Sequence, residues 1–320
     1  MAEGEFAFIR RHLRPLAAHE PAALGLEDDA AVLAPTPGHE IVLTKDAIVA
    51  GVHFLADDPA ETVAQKLLRV NLSDLAAMGA RPIGHLLVFA RPAALAEAWI
   101  ERFCRGLAAD QATYGIGLLG GDTVSTPGPL TLSLTAIGDL PAGSALRRSG
   151  ARAGDDLWVS GTLGDGALGL RVLTGELAVP PEAAAVLIER YRVPAPRVAL
   201  GPALRGLATA AIDVSDGLLA DLGHVLEASA VGAEVAAAAL PLSDAAIGLA
   251  GAEDAALTGG DDYELLFTVP ADQRNAVDEL GRELALRLTR IGCITTERAL
   301  RVRGADGREI TSPRRGWQHF

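Results

Sequence analysis

Cysteine is nearly absent from this 320-residue chain, and the two that occur, Cys104 and Cys293, stand far apart. With no CxxC pair and no Cys/His spacing, neither a zinc site nor a disulfide framework is expected, and a reducing cytoplasm is the compartment that fits. Lysine is just as scarce. Only Lys45 and Lys66 accompany the arginines, and the net charge is −13. So acidic a surface lacks the basic footprint that a nucleic-acid partner requires, and an anionic substrate must be met by local arginines or by metal ions. Long apolar runs are missing too. The alanine-rich stretch 233–240 is broken by Glu234 and too short to span a bilayer, and the opening MAEGEFAFIRRHL has early acids and no apolar core. A soluble, untargeted protein with no membrane partner is expected. There is no GxxxxGK[ST] sequence, no protein-kinase lysine motif and no HRD, which removes the common phosphoryl-transfer folds.

What is present is apolar content of 49%, enough for two cores of ordinary domain size. The best-marked element is DPAETVAQKLLRVNLSDLAAMG, residues 58–79. Asp58 suits an N-cap, Pro59 the first helical position, Glu61 the capping-box acid and Gly79 the stop. Val63, Leu67, Val70, Asp74 and Met78 recur at steps of four and three, so they share one face of a helix about 30 Å long. Asp74 therefore interrupts an apolar stripe. A carboxylate there is costly unless it is hydrogen-bonded, paired or metal-bound. Lys66 lies two turns back, and Asn71 and Ser73 bring no charge, so the helix itself offers Asp74 little compensation.

Around this helix the pattern predicts an amphipathic helix over 5–16, strands over 30–33 and 41–44, and Asp46 at the end of the second strand with His53 just beyond Gly51. A strand over 83–90 follows, then a helix on which Leu95, Trp99, Phe103 and Leu107 step by four, ending near Gly115. GIGLL then runs into Gly120-Gly121-Asp122-Thr123. Such a junction lets the backbone approach a phosphate while the acid holds a cation, although consecutive glycines also simply make turns. A strand over 130–137 closes the first half, and RRSGARAG marks a hinge that divides 1–146 from 147–320. The second half restarts with the strand DLWVSG and the helix-opening turn TLGDGALG. A helix over 198–207 follows, then AAIDVSDGLLADLGH, where Asp213 and Asp216 flank Ser215 as strand gives way to helix. A strand over 263–269, a helix over 271–286, the strand IGCIT and a polar tail ending GWQHF complete an α/β (α+β-like) chain of two domains. GGDD at 259–262 echoes GGDT, which suggests two halves on related plans.

Asp28, Asp29, Asp46, Asp74, Asp122, Asp213, Asp216, Asp261 and Asp262 fall mostly at strand ends or glycine turns. Two bare carboxylates about 4 Å apart repel by roughly 4 kcal/mol at an effective dielectric of about 20, so convergence implies cations or protonation. Oxygen-only ligands select Mg²⁺ or Ca²⁺ over zinc, and Mg²⁺ takes one or two carboxylates with waters and substrate phosphates. The acids read as a nucleotide–metal site. Arg147 and Arg148 are placed to reach a phosphate or to form a solvated linker; His53, with no paired nucleophile, reads as a substrate contact or a structural histidine.

From GEF near the start to the terminal HF the chain resembles bacterial thiamine-monophosphate kinase, of the aminoimidazole ribonucleotide synthetase superfamily. The matching motifs are DDAAVL, VAGVHF, VNLSDLAAMGA, LLGGDT, RRSGARAGD, IDVSDGLLADLGH and GGDDYEL. The resemblance implies an N-terminal domain with a mixed sheet that dimerises, a C-terminal α/β domain, and ATP bound with several Mg²⁺. It implies phosphorylation of thiamine monophosphate to thiamine diphosphate, the last step of thiamine diphosphate biosynthesis, by a homodimer. Carried over by position, Asp29, Thr44, Asp46, Asp74, Asp122, Asp213 and Asp216 hold metal, with Lys45 counted in that set because its ammonium can replace one cation's charge. Gly121, Asp122, Arg148 and Ser215 contact ATP; His53, Asp261 and Trp317 contact thiamine monophosphate. The family usually has Gly at Glu27, Thr or Ser at Lys45 and Glu at Asp261. Another ATP-dependent synthetase of the superfamily, or a Mg²⁺-dependent phosphohydrolase, is the alternative.

Overall fold

The structure is a computed structural model that describes residues 5–310 and residue 316. The chain forms two compact units, Met1–Leu75 with Ala80–Gly143, and Ala76–Gly79 with Ser144–Phe320.

The first unit opens with α1 (Glu5–Phe8), a π-helical turn over Ile9–Leu13 and a 3₁₀ turn over Arg14–Ala17, not the single regular helix that the pattern predicts. Pro15 accounts for the difference: its ring crowds the carbonyl four residues back and it has no N–H to give. A four-stranded sheet follows, built from β1 (His39–Val49), β2 (Arg81–Pro92), β3 (Gly117–Thr126) and β4 (Thr131–Pro141), with α2 (Ala60–Ala77) after β1 and α3 (Glu97–Tyr114) after β2. The order is β1-β4-β2-β3, with β4 antiparallel to β1 and β2, and β2 parallel to β3. Helices cover one face: Phe89 of β2 meets Phe103 and Trp99 of α3 with ring centroids 5.3 and 6.4 Å apart. The expected strand over 30–33 does not form. Val32 is 69% exposed, its N–H bonds Ala22 O at 2.9 Å, and apolar residues without a neighbouring strand cannot make a ladder.

In the second unit β5 (Asp155–Ser160) leads to α4 (Asp165–Leu173), α5 (Pro181–Arg192) and the single-turn α6 (Leu200–Ala203). Then come β6 (Ala210–Val214), α7 (Leu218–Ser229), β7 (Gly232–Ala236), α8 (Ala252–Thr258), β8 (Glu264–Pro270), α9 (Arg274–Glu283), β9 (Leu288–Thr295), β10 (Leu300–Arg303) and β11 (Glu309–Ile310). The helix expected over 198–207 shrinks to α6, because Pro202 cannot donate and Gly206 turns left-handed at φ 77. The strands form one sheet in the order β11-β10-β7-β9-β5-β8-β6. Leu157 and Val159 of β5 pack with α7 on one face while Trp158 packs with Phe267 and Val277 on the other, so this sheet is buried on both sides.

Candidate active site

In the first unit, β1 is longer than expected, and Asp46 sits inside the strand, not at its end. Alternation then sorts the residues by face. Asp46 pairs with Leu134, Leu134 with Leu87 and Leu87 with Gly121, so these four share the helix-covered face. The next row, Ala47, Ser133, Val88 and Asp122, looks the other way. Thr44 and Asp46 therefore face α2, whereas Lys45 and Asp122 lie on the opposite face, both exposed.

Three polar side chains of α2 reach toward β1 and its following turn. Half-buried Asp74 accepts from Thr44 Oγ1 at 2.5 Å, Asn71 Oδ1 accepts from Asp46 N at 3.1 Å, and buried Lys66 donates to His53 O at 3.1 Å. The compensation that the helix sequence withholds from Asp74 thus comes partly from the strand. His53 Nδ1 accepts from Val49 N at 3.1 Å, which leaves Nε2 as the protonated nitrogen of a neutral ring. Glu61, expected to reach back to the helix cap, engages Arg102 Nε with both oxygens at 2.9 Å. Asp58 accepts from Leu55 N at 2.8 Å.

The glycine pair is no turn. Gly120 and Gly121 lie inside β3, and a Cβ on Gly121 would stand 1.8 Å from Leu87 O, so close approach of β2 demands glycine there. Asp29 is exposed in the bend after Glu27, and Glu27 pairs with Arg14 at 2.8 Å.

In the second unit two loops interlock at the ends of β6 and β8. Asp213 is buried near the end of β6, with half-buried Ser215 and Asp216 just beyond it. Asp261 N donates to Ser215 O at 2.9 Å and Tyr263 N to Val214 O at 2.8 Å. Asp261 itself is left-handed at φ 68 and half-buried, its carboxylate accepting from Tyr263 Oη at 3.3 Å. Asp213, Ser215, Asp216 and Asp261 are thereby gathered on neighbouring backbone. A Cβ on Gly316 would stand 2.7 Å from Asp216 O, so Gly316 lies against this loop; Trp317 lies outside the described residues. Arg148 is exposed, while its carbonyl accepts from Ser229 Oγ at 3.2 Å.

Two acids hold these loops from behind, and neither role is visible in a linear pattern. Asp221 Oδ2 accepts from the N–H groups of Ser215, Asp216 and Gly217 at 3.0, 3.0 and 3.1 Å. Burial pushes its carboxyl up to about 7, against the pull of those amides. Asp262 accepts from Gly164 N at 2.7 Å and Gly166 N at 3.2 Å, and full burial raises its pKa well above the carboxylate range. Asp262 is thus a brace for the TLGDG turn, with Asp261 the member of the pair left facing outward.

Comparison with known proteins fixes the family. Residues 27–140 match AIR synthase related protein, N-terminal domain, and residues 152–305 match the corresponding C-terminal domain. The thiamine-monophosphate kinase of Caulobacter vibrioides is 45% identical over 98% of this chain and 90% of its own length. The chain belongs to the thiamine-monophosphate kinase family. A crystal structure of thiamine-monophosphate kinase from Stenotrophomonas maltophilia K279a superposes with a TM-score of 0.86 at 46% identity, covering 97% of this chain and 99% of that one. AaThiL complexed with AMPPCP and TMP superposes at 0.79 with 31% identity, covering 99% and 97%. Of the positions that depart from the family's pattern, Glu27 is tied to Arg14 and Lys45 lies on the face opposite Thr44 and Asp46.

Among the described residues no three His, Cys, Asp or Glu side chains close into a cage for a metal. Mg²⁺ does not require one, since it keeps waters and takes substrate phosphates beside one or two carboxylates. The all-oxygen set Thr44, Asp46 and Asp74 fits that demand. Among the described residues, no helix is long and apolar enough to cross a membrane.

Proposed function

We propose that this chain transfers the γ-phosphoryl group of ATP to thiamine monophosphate, giving ADP and thiamine diphosphate. The observation that carries this reading is likeness over nearly the whole chain to thiamine-monophosphate kinases, together with the relative that binds AMPPCP and TMP. Mg²⁺ ions, when bound, would supply positive charge to the phosphates: Thr44, Asp46 and Asp74 would serve on the covered face of the first unit's sheet, Asp122 with the Lys45 ammonium on its open face, and Asp29, Asp213 and Asp216 complete the proposed ligands. Gly121, Asp122, Arg148 and Ser215 contact ATP, and His53, Asp261 and Trp317 contact thiamine monophosphate. The acceptor phosphate oxygen is already anionic near neutral pH and attacks the γ-phosphorus in line, so the residues position and no strong general base is needed. The free thiols Cys104 and Cys293 suit a cytoplasmic enzyme.

We also read the protein as a homodimer. Leu43, Leu86 and Val124 lie in rows of the uncovered sheet face, Ile41 is two residues from Leu43, and all four are exposed. A second copy would bury them.

The test is purified protein with ATP and Mg²⁺, with and without thiamine monophosphate, following ADP and thiamine diphosphate by chromatography. Equal yields of both, lowered about 100-fold or more in Asp74→Asn, are expected. ADP with free phosphate and no thiamine diphosphate would return the reading to a hydrolase or a sister synthetase. In a parallel magnesium titration, Lys45→Thr gains metal sites or binds metal more tightly; unchanged stoichiometry and affinity remove Lys45 from the set.

A further inference from the structure

A strand that ends in a small polar turn with glycine and enters a helix is, by default, an anion site, because its free amides and the helix dipole point at the ligand. The turn after β6 has that outline: Ser215, Asp216 and Gly217 precede α7. Its amides, however, are taken. All three donate to one oxygen of Asp221, a buried residue in the first turn of the same helix. The carbonyls of Val214 and Ser215 are taken as well, by the amides of Tyr263 and Asp261. With the turn's N–H groups bonded to Asp221, the polar groups left at the turn are the half-buried side chains of Ser215 and Asp216, with buried Asp213 just before them.

We propose that Asp221 is a positioning residue that converts this turn from an anion-binding into a cation-presenting loop. Its carboxylate occupies the place a phosphate oxygen would take against the amides, and so fixes Ser215 and Asp216, just beyond Asp213, in the arrangement that receives a metal–nucleotide complex. Phosphate is then met by cations and side chains and not by the main chain at 215–217. This rests on the metal-assisted reading of the site. It extends that reading by naming which group sets the sign of charge the loop accepts.

The discriminating quantity is the ratio of ATP affinities with and without Mg²⁺, read by calorimetry, with amide exchange of the 215–217 segment followed by mass spectrometry. Supports that orient ligands from behind typically carry about 10–100-fold in affinity. Asp221→Ala should weaken Mg²⁺·ATP binding by that factor, leave or improve binding of metal-free ATP, and speed exchange at 215–217. Asp221→Asn keeps a neutral acceptor oxygen and should fall between, which keeps the test decisive if the alanine variant does not fold. A purely structural aspartate would lower the melting temperature and speed exchange at 215–217 while the ATP ratio stayed at its wild-type value, and that result overturns the proposal. If the wild type makes no thiamine diphosphate yet the ratio shifts, the substrate reading fails and this one stands. If thiamine diphosphate forms and the ratio does not respond, this one fails alone.

Discussion

The two sheets of this protein use acids in different ways. In the first unit one face is covered by helices and the other is open, so strand residues alternate and candidate ligands sit mid-strand: Thr44 and Asp46 on one face, Lys45 and Asp122 on the other. In the second unit the sheet is covered on both faces and β5 and β6 are buried throughout, so candidate ligands gather at the loop ends, around Asp213, Asp216 and Asp261. A one-sided sheet can display chemistry along its strands, whereas a two-sided sheet must push it to the rim and brace it there with buried acids such as Asp221 and Asp262.

The open face is where the comparison breaks most easily. Leu43 is 66% exposed in the middle of β1, and in a two-fold interface each substitution counts twice. Losing two buried leucines removes about 3–6 kcal/mol, so Leu43→Glu should weaken the dimer by roughly 10²–10⁴-fold in sedimentation while each monomer stays folded. A wild-type sedimentation profile for Leu43→Glu would mean that this face does not mediate association. In the second unit the corresponding weak point is internal. Buried Glu264 accepts from Ser160 Oγ at 2.6 Å, Arg190 Nη2 at 2.8 Å and Arg197 Nε at 2.5 Å. Glu264→Gln removes the charge that Arg197 pairs with and leaves Arg190 with the more distant Asp165 at 3.9 Å, and should cost about 3–5 kcal/mol in urea unfolding. Glu61→Gln, which breaks a more exposed pair with Arg102 in the first unit, should move the midpoint little. Equal shifts in the two variants would erase the contrast.

The same contrast explains what could be read from the chain alone. The long helices α2 and α3 were legible because their apolar residues repeat locally, and α3 ends at Gly115, left-handed at φ 63, as its sequence predicts. The acids around which the site is built were legible as a set. Their faces were not: Asp122 and Asp46 look alike as neighbours of strands, and only the pairing register puts them on opposite sides. The residues 30–33 are apolar enough for a strand, but no partner strand is available to them. Gly120-Gly121 reads more readily as a turn than as a site of close approach, and only the position of Leu87 decides for the second. Helix α5 carries Pro181 in its first turn, with Leu187 and Tyr191 four apart, a local signal that marks a helix between the strands. Asp221 and Asp262 carry no marker, since an acid that braces a backbone is indistinguishable in sequence from one that faces solvent.

A smaller effect sharpens the comparison on the first unit's covered face. His85 of β2 is fully buried, its Nε2 lies 3.0 Å from Gln111 Nε2, and its Nδ1 has no hydrogen-bond partner among the described residues. Burial drives its pKa down to about 3, from an ordinary value of 6.5. Below about pH 6.5 the unfolded chain takes up a proton that the folded chain refuses, so the unfolded state binds more protons and stability must fall with pH. The contribution is intact above the unfolded value and is lost at up to about 1.4 kcal/mol per unit as pH drops toward 3. Between pH 6 and pH 5, urea midpoints followed by circular dichroism should therefore decline more steeply in the wild type than in His85→Gln, where nothing at that position titrates. Parallel declines would place the acid sensitivity elsewhere than at His85.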